Sequence, residues 1–204
     1  MPVTFTGFTT DVEKYHAAYN QAKQVLSKAY NSAKSLTTLT DQNRNTSGIK
    51  DAQAAFTRFF GGNDPKTVAD RLRMMKNALT ISDMEIVYDA TDPAKAYVNV
   101  ADCANAPGDP FTAKIQFCKA LITGYSVLGT NSSAGTIVHE LSHLVLNTDD
   151  HIYGMKSCTE LDDGDKLTNA DNFKYYAELF QLARLSLMPQ LSDSYDLKHS
   201  PPRS

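Results

Sequence analysis

The chain contains 204 residues, of which 42% are hydrophobic and 21% are charged, and its formal net charge at pH 7 is −3. This length is sufficient for one domain with a single substantial core. The slightly negative charge provides no basic field that would attract nucleic acid or an anionic membrane, so the composition favours neither partner.

Three helices are predicted in the N-terminal part of the chain. Thr10 and Glu13 have the spacing of a capping box, and the apolar residues near them follow the helical period: Val12, Tyr15, Tyr19, Ala22, Leu26, Ala29, Ala33 and Leu36. After a polar break over 41–47, a second helix is expected to end at Gly61-Gly62, and its apolar residues are Ala54, Phe56, Phe59 and Phe60. Asp64 and Pro65 predict the start of a third helix, whose apolar face is formed by Val68, Leu72, Met75 and Leu79.

Three short strands are predicted next, over 84–88, 97–100 and 114–117, followed by a helix that contains His139 and another over Asn169 to Leu187. This order of elements indicates an α+β fold with N-terminal helices, a small sheet and two later helices. Residues 1–187 are expected to form one domain. The prolines and serines from Met188 onward predict a mobile C-terminal tail over 188–204.

The most informative segment contains an HExxH sequence, formed by His139, Glu140, Leu141, Ser142 and His143. Residues four apart lie on one face of a helix, so the two histidines can direct their ring nitrogens at one metal ion. Glu140 is rotated by about 100° from His139 and is therefore not forced to be a ligand. It is free to accept a proton from water that a zinc ion polarises, and the pattern indicates a zinc hydrolase.

The sequence around this motif favours a metal site over a surface helix. Ser132 and Ser133 are credible N-caps, and an apolar stripe would bury the helix against a core: Ile137, Val138, Leu141, Leu144 and Val145. Two imidazoles and a carboxylate on such a helix are costly to bury unless a partner satisfies them. A metal ion would satisfy all three groups.

A catalytic zinc ion usually has three protein ligands, and the spacing alone leaves three alternatives for the third one. A metzincin-like arrangement would need a glycine at position 146 and a ligand at position 149, but Leu146 would let the helix continue, which makes Asp149 a weak candidate. A gluzincin-like arrangement would use Glu160 or Glu178 from a later helix. In the third arrangement, a short turn after the helix would bring Asp150 back to the metal.

The third pattern carries a resemblance to a known family. The segment GTIVHELSH at 135–143, followed by TDDHIYG at 148–154, resembles the aspzincin metallopeptidases, the family of deuterolysin and the fungal peptidyl-Lys metalloendopeptidases. Residues 169–178, NADNFKYYAE, are similar to a helix of that family, and 96–98 with 115–118 are similar to its two strands before the active-site helix. Thr4-Phe5-Thr6-Gly7 followed by a long helix is similar to the start of the mature domain. The resemblance covers roughly residues 4 to 186.

The resemblance implies a zincin-like fold and a role for each site residue. His139, His143 and Asp150 would ligate one zinc ion, and Glu140 would be the general base. Tyr153 would stabilise the oxyanion, because a phenol beside zinc can donate a hydrogen bond where negative charge develops. Asp149 and His151 are expected to be outer or solvated residues.

The resemblance also indicates a substrate-binding pair, and this chain departs from the family there. In the lysine-specific members, an acidic pocket that receives a substrate lysine is built from the aspartate of the NAD segment and a glutamate three residues later. Asp171 is present here, but Lys174 stands in place of the glutamate. At i and i+3 on one helix the two can pair, so strict lysine specificity is not implied. Alternatively, Asp171 is only a favourable charge near a helix N-terminus.

The chain has three cysteines, at positions 103, 118 and 158. The family's N-terminal cysteine is replaced by Phe8, and no cysteine lies in the 83–89 strand region where the family would place a partner for Cys118. A bridge between Cys103 and Cys118 would require an oxidising compartment, and three buried or free thiols remain the alternative.

We therefore expect a zinc-dependent endopeptidase that acts on protein or peptide substrates, with no nucleic-acid or membrane partner and a monomeric state favoured. Two alternatives stay open: a non-catalytic zincin scaffold that serves as a binding or toxin module, and an amidase that acts on cell-wall peptide. The first thirty residues contain no continuous apolar block, so the sequence predicts neither a signal peptide nor a membrane anchor. A secreted or otherwise delivered enzyme is still expected. Either its signal or propeptide has been removed, or it is exported by a route that does not use such a signal.

Overall fold

In a computed structural model, the described part of the chain is 3–8, 12–81, 83–89, 96–98, 112–118, 126–127 and 129–181. The three predicted N-terminal helices are confirmed as α1 (Val12–Ser35), α2 (Ser47–Phe60) and α3 (Pro65–Ile81). A single 3₁₀ turn, Leu36–Thr38, follows α1. The capping box at Thr10 lies outside the described residues.

The end of α2 and the start of α3 form as the residues at the turn between them predict. Gly61 ends α2 with a positive φ of 58°, a conformation that other residues rarely adopt. The Asp64 carboxylate then accepts hydrogen bonds from the amides of Lys66 and Thr67, at 3.2 and 3.0 Å, and so caps α3. Ala54 is exposed, although the sequence placed it with the apolar face of α2.

The described strands form one four-stranded sheet with the spatial order β1-β2-β4-β3, in which β3 runs antiparallel to β4 and the other pairs are parallel. The strands are β1 (Thr4–Thr6), β2 (Asp83–Asp89), β3 (Ala96–Val98) and β4 (Thr112–Cys118). The three predicted strands are confirmed. Strand β1 was not predicted, because three residues are too few to show an alternating pattern.

The described residues after the sheet form four helices: α4 (Ser133–Leu146), α5 (Met155–Glu160), α6 (Asp163–Thr168) and α7 (Ala170–Glu178). The helix that was predicted over Asn169 to Leu187 begins at Ala170, and its regular part ends at Glu178. Phe180 and Gln181 bond to carbonyls three residues back, which tightens the chain into turns. Residues 182–187 and the predicted tail over 188–204 lie outside the described residues.

Helix α4 lies in the middle of the core, against α1, α3 and α7. Its apolar residues Ile137, Val138 and Leu141 are fully buried, and the large side chains around them include Tyr15, Leu26, Leu72, Phe173 and Tyr176. The mixed architecture confirms the α+β class. Among the described residues, none of the helices combines the length and the apolar character that crossing a bilayer requires.

Candidate metal centre

The two histidines of the HExxH sequence lie side by side on α4 and point at the same place. Their Nε2 atoms are 3.2 Å apart, and the His139 residue is only 7% exposed. Ser132 caps this helix by accepting a hydrogen bond from the Gly135 amide at 2.9 Å. The N-cap that the sequence suggested at Ser132 is thus confirmed, and Ser133 is the first helical residue.

The other ring nitrogen of each histidine is held by an acceptor. His139 Nδ1 lies 2.8 Å from Oδ1 of Asp171, and His143 Nδ1 lies 2.7 Å from the carbonyl oxygen of Thr148. Carboxylate and carbonyl oxygens only accept, so both Nδ1 atoms carry a proton. Neutral rings in that state present the lone pair of Nε2 to the shared point, which is the arrangement of metal-bound histidine.

Asp150 completes the group. Its Oδ1 lies 3.2 Å from His139 Nε2 and 3.4 Å from His143 Nε2, and the three ligand atoms all lie within 4.8 Å of one another. Of the other candidates for a third ligand, Asp149 and Glu160 do not belong to this cluster, and Glu178 is bound to the start of α4. Within the described part of the chain, these three residues are the only cluster of this kind.

The dimensions of the cluster fit zinc. Bonds of about 2.0–2.1 Å at tetrahedral angles place ligand atoms roughly 3.3–3.4 Å apart. The observed separations between the three ligand atoms are 3.2, 3.2 and 3.4 Å. Two imidazoles and one carboxylate also leave a fourth position open for water or substrate, as in catalytic zinc sites.

A proton and a metal ion compete for this site. Burial favours the neutral His139 ring, but the hydrogen bonds that the ring donates to Asp150 and Asp171 outweigh burial and raise its pKa to about 10. The same contacts hold the pKa of Asp150 far below its usual range, although burial opposes this. The acidic surroundings therefore favour a positive charge at the point where the two rings meet.

Helix α4 ends in a way that brings Asp150 back to it. Asn147 adopts the left-handed conformation, with φ of 52°, and its amide donates to the carbonyl of His143 at 3.0 Å. This turn stops the helix directly after Leu146, where the sequence allowed it to continue. Asparagine tolerates the left-handed region, so Asn147 was a signal that sequence reasoning missed.

Glu140 and Tyr153 lie at the same centre. Glu140 is 5% exposed; burial raises the pKa of its carboxyl, while the two histidines lower it. The Tyr153 hydroxyl donates to Asp150 Oδ2 at 2.6 Å, and its ring stacks on His139 with centroids 6.2 Å apart. Burial and the nearby Asp150 carboxylate raise the pKa of Tyr153, so the phenol keeps its proton and stays a donor.

Asp171 and Lys174 form the pair that their spacing suggested. Lys174 Nζ lies 3.3 Å from Asp171 Oδ1, and the Asp171 residue is 1% exposed. Although burial favours neutral forms, the pair holds the pKa of the carboxyl well below and that of the ammonium well above their usual ranges. Lys174 also donates to Asn131 Oδ1 at 3.0 Å. The structure thus places Asp171 between the ammonium of Lys174 and the ring of His139.

A buried glutamate holds the start of α4. Glu178 is 4% exposed, and its carboxylate accepts hydrogen bonds from the amides of Asn131 and Ser132, at 3.1 and 2.9 Å, and from the Ser132 hydroxyl at 3.0 Å. A Cβ on Gly135 would lie 1.9 Å from this carboxylate. Gly135, the first residue of the GTIVHELSH segment, therefore leaves room for Glu178, the last residue of NADNFKYYAE. No local sequence pattern could reveal this contact.

Comparison with known proteins assigns the chain to a family. The sequence model of the aspzincin family, described as lysine-specific metallo-endopeptidase, matches residues 45–178, which is more than half of the chain. The chain belongs to the aspzincin family of metallo-endopeptidases. The solved structure of a zinc peptidase from Grifola frondosa has the same fold, with a TM-score of 0.57 and 25% identity over 84% of this chain and 98% of that one.

Two curated proteins share shorter segments with this aspzincin. An extracellular protease of Aeromonas hydrophila is 47% identical over 77 residues, which are 35% of this chain and 21% of that protein. A peptidyl-Lys metalloendopeptidase of Pleurotus ostreatus is 42% identical over 57 residues, 26% of this chain and 34% of that protein. The matched segments thus span about a fifth and about a third of these two relatives.

The remaining predicted residues lie outside the cluster. Asp149 and His151 are exposed, and His151 Nε2 lies 2.9 Å from the Thr168 hydroxyl. Cys158 is buried, with its sulfur 3.5 Å from the side-chain nitrogen of Asn169. The suggested bridge between Cys103 and Cys118 stays a prediction, because Cys103 lies outside the described residues.

Proposed function

We propose that this aspzincin is a zinc-dependent endopeptidase with one zinc ion held by His139, His143 and Asp150. The observation that carries the proposal is the convergence of two Nε2 lone pairs and one carboxylate oxygen at tetrahedral separations of 3.2 to 3.4 Å. The family and the peptidase names of the matched proteins support the same reaction class. A bound zinc ion would polarise the scissile carbonyl and lower the pKa of a water molecule to about 7.

Glu140 moves protons in this mechanism. Its position next to His139 on α4 places a carboxylate beside the cluster without using it as a ligand. Burial raises the pKa of Glu140, which makes the carboxylate a stronger base towards the attacking water. The same group then passes the proton to the leaving amine, so a single residue serves both transfers.

Tyr153 stabilises the charge that develops on the carbonyl oxygen. The hydroxyl is protonated, and the residue is 44% exposed, so an incoming substrate can reach it. Its donor is held 2.6 Å from Asp150 Oδ2 and can be redirected to the oxyanion by a small rotation. Charge stabilisation of this kind typically contributes roughly 10²–10³-fold in rate.

The substrate is proposed to bind as an extended strand along β3. This strand is at the edge of the described sheet and contacts α4, which carries the histidines. Main-chain hydrogen bonds to such an edge would hold the scissile carbonyl over the cluster without selecting side chains.

Asp171 and Lys174 are proposed to line the pocket for the residue after the scissile bond. Since they neutralise each other, we propose broad specificity, with small or apolar residues accepted there.

The proposed enzyme acts outside the producing cell, as the name of the Aeromonas hydrophila relative says of that protein. A monomer is proposed, because the cluster is built entirely from residues 139–150 of one chain. Protein or peptide is the proposed substrate, with no nucleic-acid or membrane partner.

The test is the Glu140→Gln variant together with metal analysis. We expect the wild-type protein to contain zinc, to cleave casein and to lose activity with a chelator. The variant should retain zinc and lose more than the roughly 10²–10⁴-fold that general acid–base groups contribute, because one residue serves two proton transfers. Wild-type turnover in the variant would overturn the general-base assignment. Zinc retained without cleavage of casein would favour a binding scaffold, or an amidase if cell-wall peptide is cleaved instead.

A further inference from the structure

The segment that carries Asp150 and Tyr153 has no helix or strand of its own. Over 147–154 the chain is irregular and mostly exposed, yet it holds the Asp150 carboxylate beside both histidines. Its support comes from the junction between α6 and α7. The Asp149 amide donates to the carbonyl of Thr168 at 2.8 Å, and the Ala170 amide donates to the carbonyl of Asp149 at 3.0 Å.

Two side chains of that junction hold the rest of the segment. Asn169 Oδ1 accepts the Ile152 amide at 3.2 Å, and Asp171 Oδ2 accepts the Gly154 amide at 3.1 Å. Ile152 lies between Asp150 and Tyr153 in the sequence, so the Asn169 contact is made at the middle of the functional segment. Gly154 has φ of 96°, a conformation that favours glycine and directs its amide at Asp171.

The orientation of the Asn169 amide is fixed from deep in the core. Asn172 Nδ2 donates to the carbonyls of Phe59 and Cys158, at 2.7 and 3.0 Å. Carbonyls only accept, so Asn172 must present its oxygen to Asn169 Nδ2, 2.7 Å away. Asn169 Oδ1 consequently faces Ile152. Both asparagines are fully buried, and neither can turn without leaving a polar group unpaired.

We propose that Asn169 is a positioning residue that sets the place of the third zinc ligand. Its carboxamide connects two carbonyls of the core, through Asn172, to the amide between Asp150 and Tyr153. Asp171, two residues later, holds His139 as well as Gly154. The tripeptide Asn169-Ala170-Asp171 therefore aligns the loop ligand with the helix ligand. The inference rests on the proposed function, since it assigns Asp150 to the metal.

Asn172 provides a matched control. It is as buried as Asn169 and belongs to the same network, and its replacement by alanine would remove bonds to three partners, as would the replacement of Asn169. Its bonds reach Phe59, Cys158 and Asn169, and none of them reaches the 149–154 segment. A purely structural role of Asn169 would therefore make the Asn169→Ala and Asn172→Ala variants behave alike.

The experiment compares zinc affinity, by competition with a chelator, and thermal stability in the two variants. Outer partners of metal ligands typically contribute roughly 10–100-fold in metal affinity. We expect Asn169→Ala to weaken zinc binding by that factor. Asn172→Ala should leave it within about threefold, because Asn169 Oδ1 can still accept the Ile152 amide while its Nδ2 keeps the contact with the Cys158 sulfur. Both variants should lower the melting temperature similarly. With zinc saturating, Asn169→Ala should lower kcat more than it changes KM. Equal effects of the two variants on zinc affinity would overturn the proposal.

A second measurement needs no variant. In metal-free wild-type protein, the Ile152 amide should exchange its hydrogen much more slowly than the amides of the exposed residues Asp150 and His151. Equal exchange rates would show that Asn169 does not hold the segment, and would overturn the proposal even if Asn169→Ala fails to fold. Failure of the proposed function appears differently, as wild-type protein that binds no zinc or cleaves no peptide.

Discussion

At the scale of single residues, the site depends on which of two adjacent aspartates faces the histidines. Asp149 is fixed through its backbone to Thr168 and Ala170, and its side chain is exposed. Asp150, the next residue, directs its carboxylate at both Nε2 atoms and is bonded to Tyr153. The backbone hydrogen bonds of Asp149 thus orient the side chain of Asp150 towards the histidines.

The Asp150→Ala variant should lose zinc. Removal of one of three ligands is expected to weaken zinc binding by more than the roughly 10–100-fold seen for outer partners. Asp149→Ala, Glu160→Ala and Glu178→Ala should retain zinc, because none of these carboxylates belongs to the cluster. Zinc content of the purified variants checks this. Zinc loss confined to a glutamate variant would mean that the third ligand has been misassigned.

Lys174 should control the residue accepted after the scissile bond. A substrate lysine beside Asp171 would meet the Lys174 ammonium, and two like charges a few ångströms apart cost about 1–4 kcal/mol, depending on the local dielectric. We expect the wild-type enzyme to show no dominant lysine preference and Lys174→Glu to shift cleavage towards bonds that precede lysine. Cleavage-site profiling in a peptide library measures both. A wild-type profile dominated by lysine would contradict the neutralised pocket.

At the scale of elements, α4 is held at its start by side chains and at its end by backbone groups, all of which lie later in the chain. Glu178, just before the turns that end the described chain, binds the residues that begin α4. Gln181 adds two bonds there, because its amide nitrogen donates to the Ser132 hydroxyl and its oxygen accepts the Gly129 amide. At the opposite end, Thr148 and Asn147 fix the ring of His143 and the end of the helix. Helix α4 therefore cannot shift along its axis without breaking several buried bonds.

Glu178 should make stability depend on pH between about 4.5 and 7. Burial raises its pKa from 4.5 to about 7, although Lys174 and the bonds from Ser132 and Asn131 oppose the shift. The folded state therefore binds more protons than the unfolded state in this interval, and its stability falls as the pH rises. Relative to Glu178→Gln, we expect metal-free wild-type protein to lose roughly 3 kcal/mol of unfolding free energy across the interval.

Denaturant unfolding of the two metal-free proteins at a series of pH values measures this difference. The difference in unfolding free energy between the two proteins isolates Glu178, because the paired aspartates and histidines titrate in both of them. A difference that stays constant from pH 4.5 to 7.5 would mean that folding does not raise the pKa of Glu178.

At the scale of the whole molecule, the cluster joins α4 to an irregular segment that otherwise depends on the start of α7. Zinc that binds only the folded chain stabilises it by about 2.7 kcal/mol when free zinc is a hundred times the dissociation constant. At roughly 2–4 °C per kcal/mol for this chain length, chelation should lower the melting temperature by about 5–10 °C. Thermal unfolding with and without chelator measures the shift. The Asp150→Ala variant should show almost none, and an equal shift there would point to zinc bound elsewhere.

Sequence patterns predicted most features that depend on neighbouring residues and few contacts between residues that are far apart in the chain. The sequence predicted α1 from its helical period, the start of α3 from Asp64 and Pro65, and the paired histidines from the HExxH spacing. Each of these patterns lies within one short stretch of the chain. The pairing of β1 with β2 joins residues about 80 positions apart, and Glu178 meets Ser132 across 46. No short pattern encodes such contacts. The resemblance to a family singled out Asp150 and Tyr153, and only the folded chain shows that Asn169 and Thr148 hold their surroundings.

The late position of the orienting side chains has a consequence for the cell that makes this protein. The sequence HELSH leaves the ribosome before Asn169, Asp171 and Glu178 have been synthesised, so a nascent chain carries the ligands before it carries the groups that align them. We expect a chain truncated after residue 168 to bind zinc weakly in a chelator competition. The proposed proteolytic activity would then arise only after residues 169–178 have been made, when α1, α2 and α3 have already had time to fold. This delay would protect the nascent chain from cleaving itself.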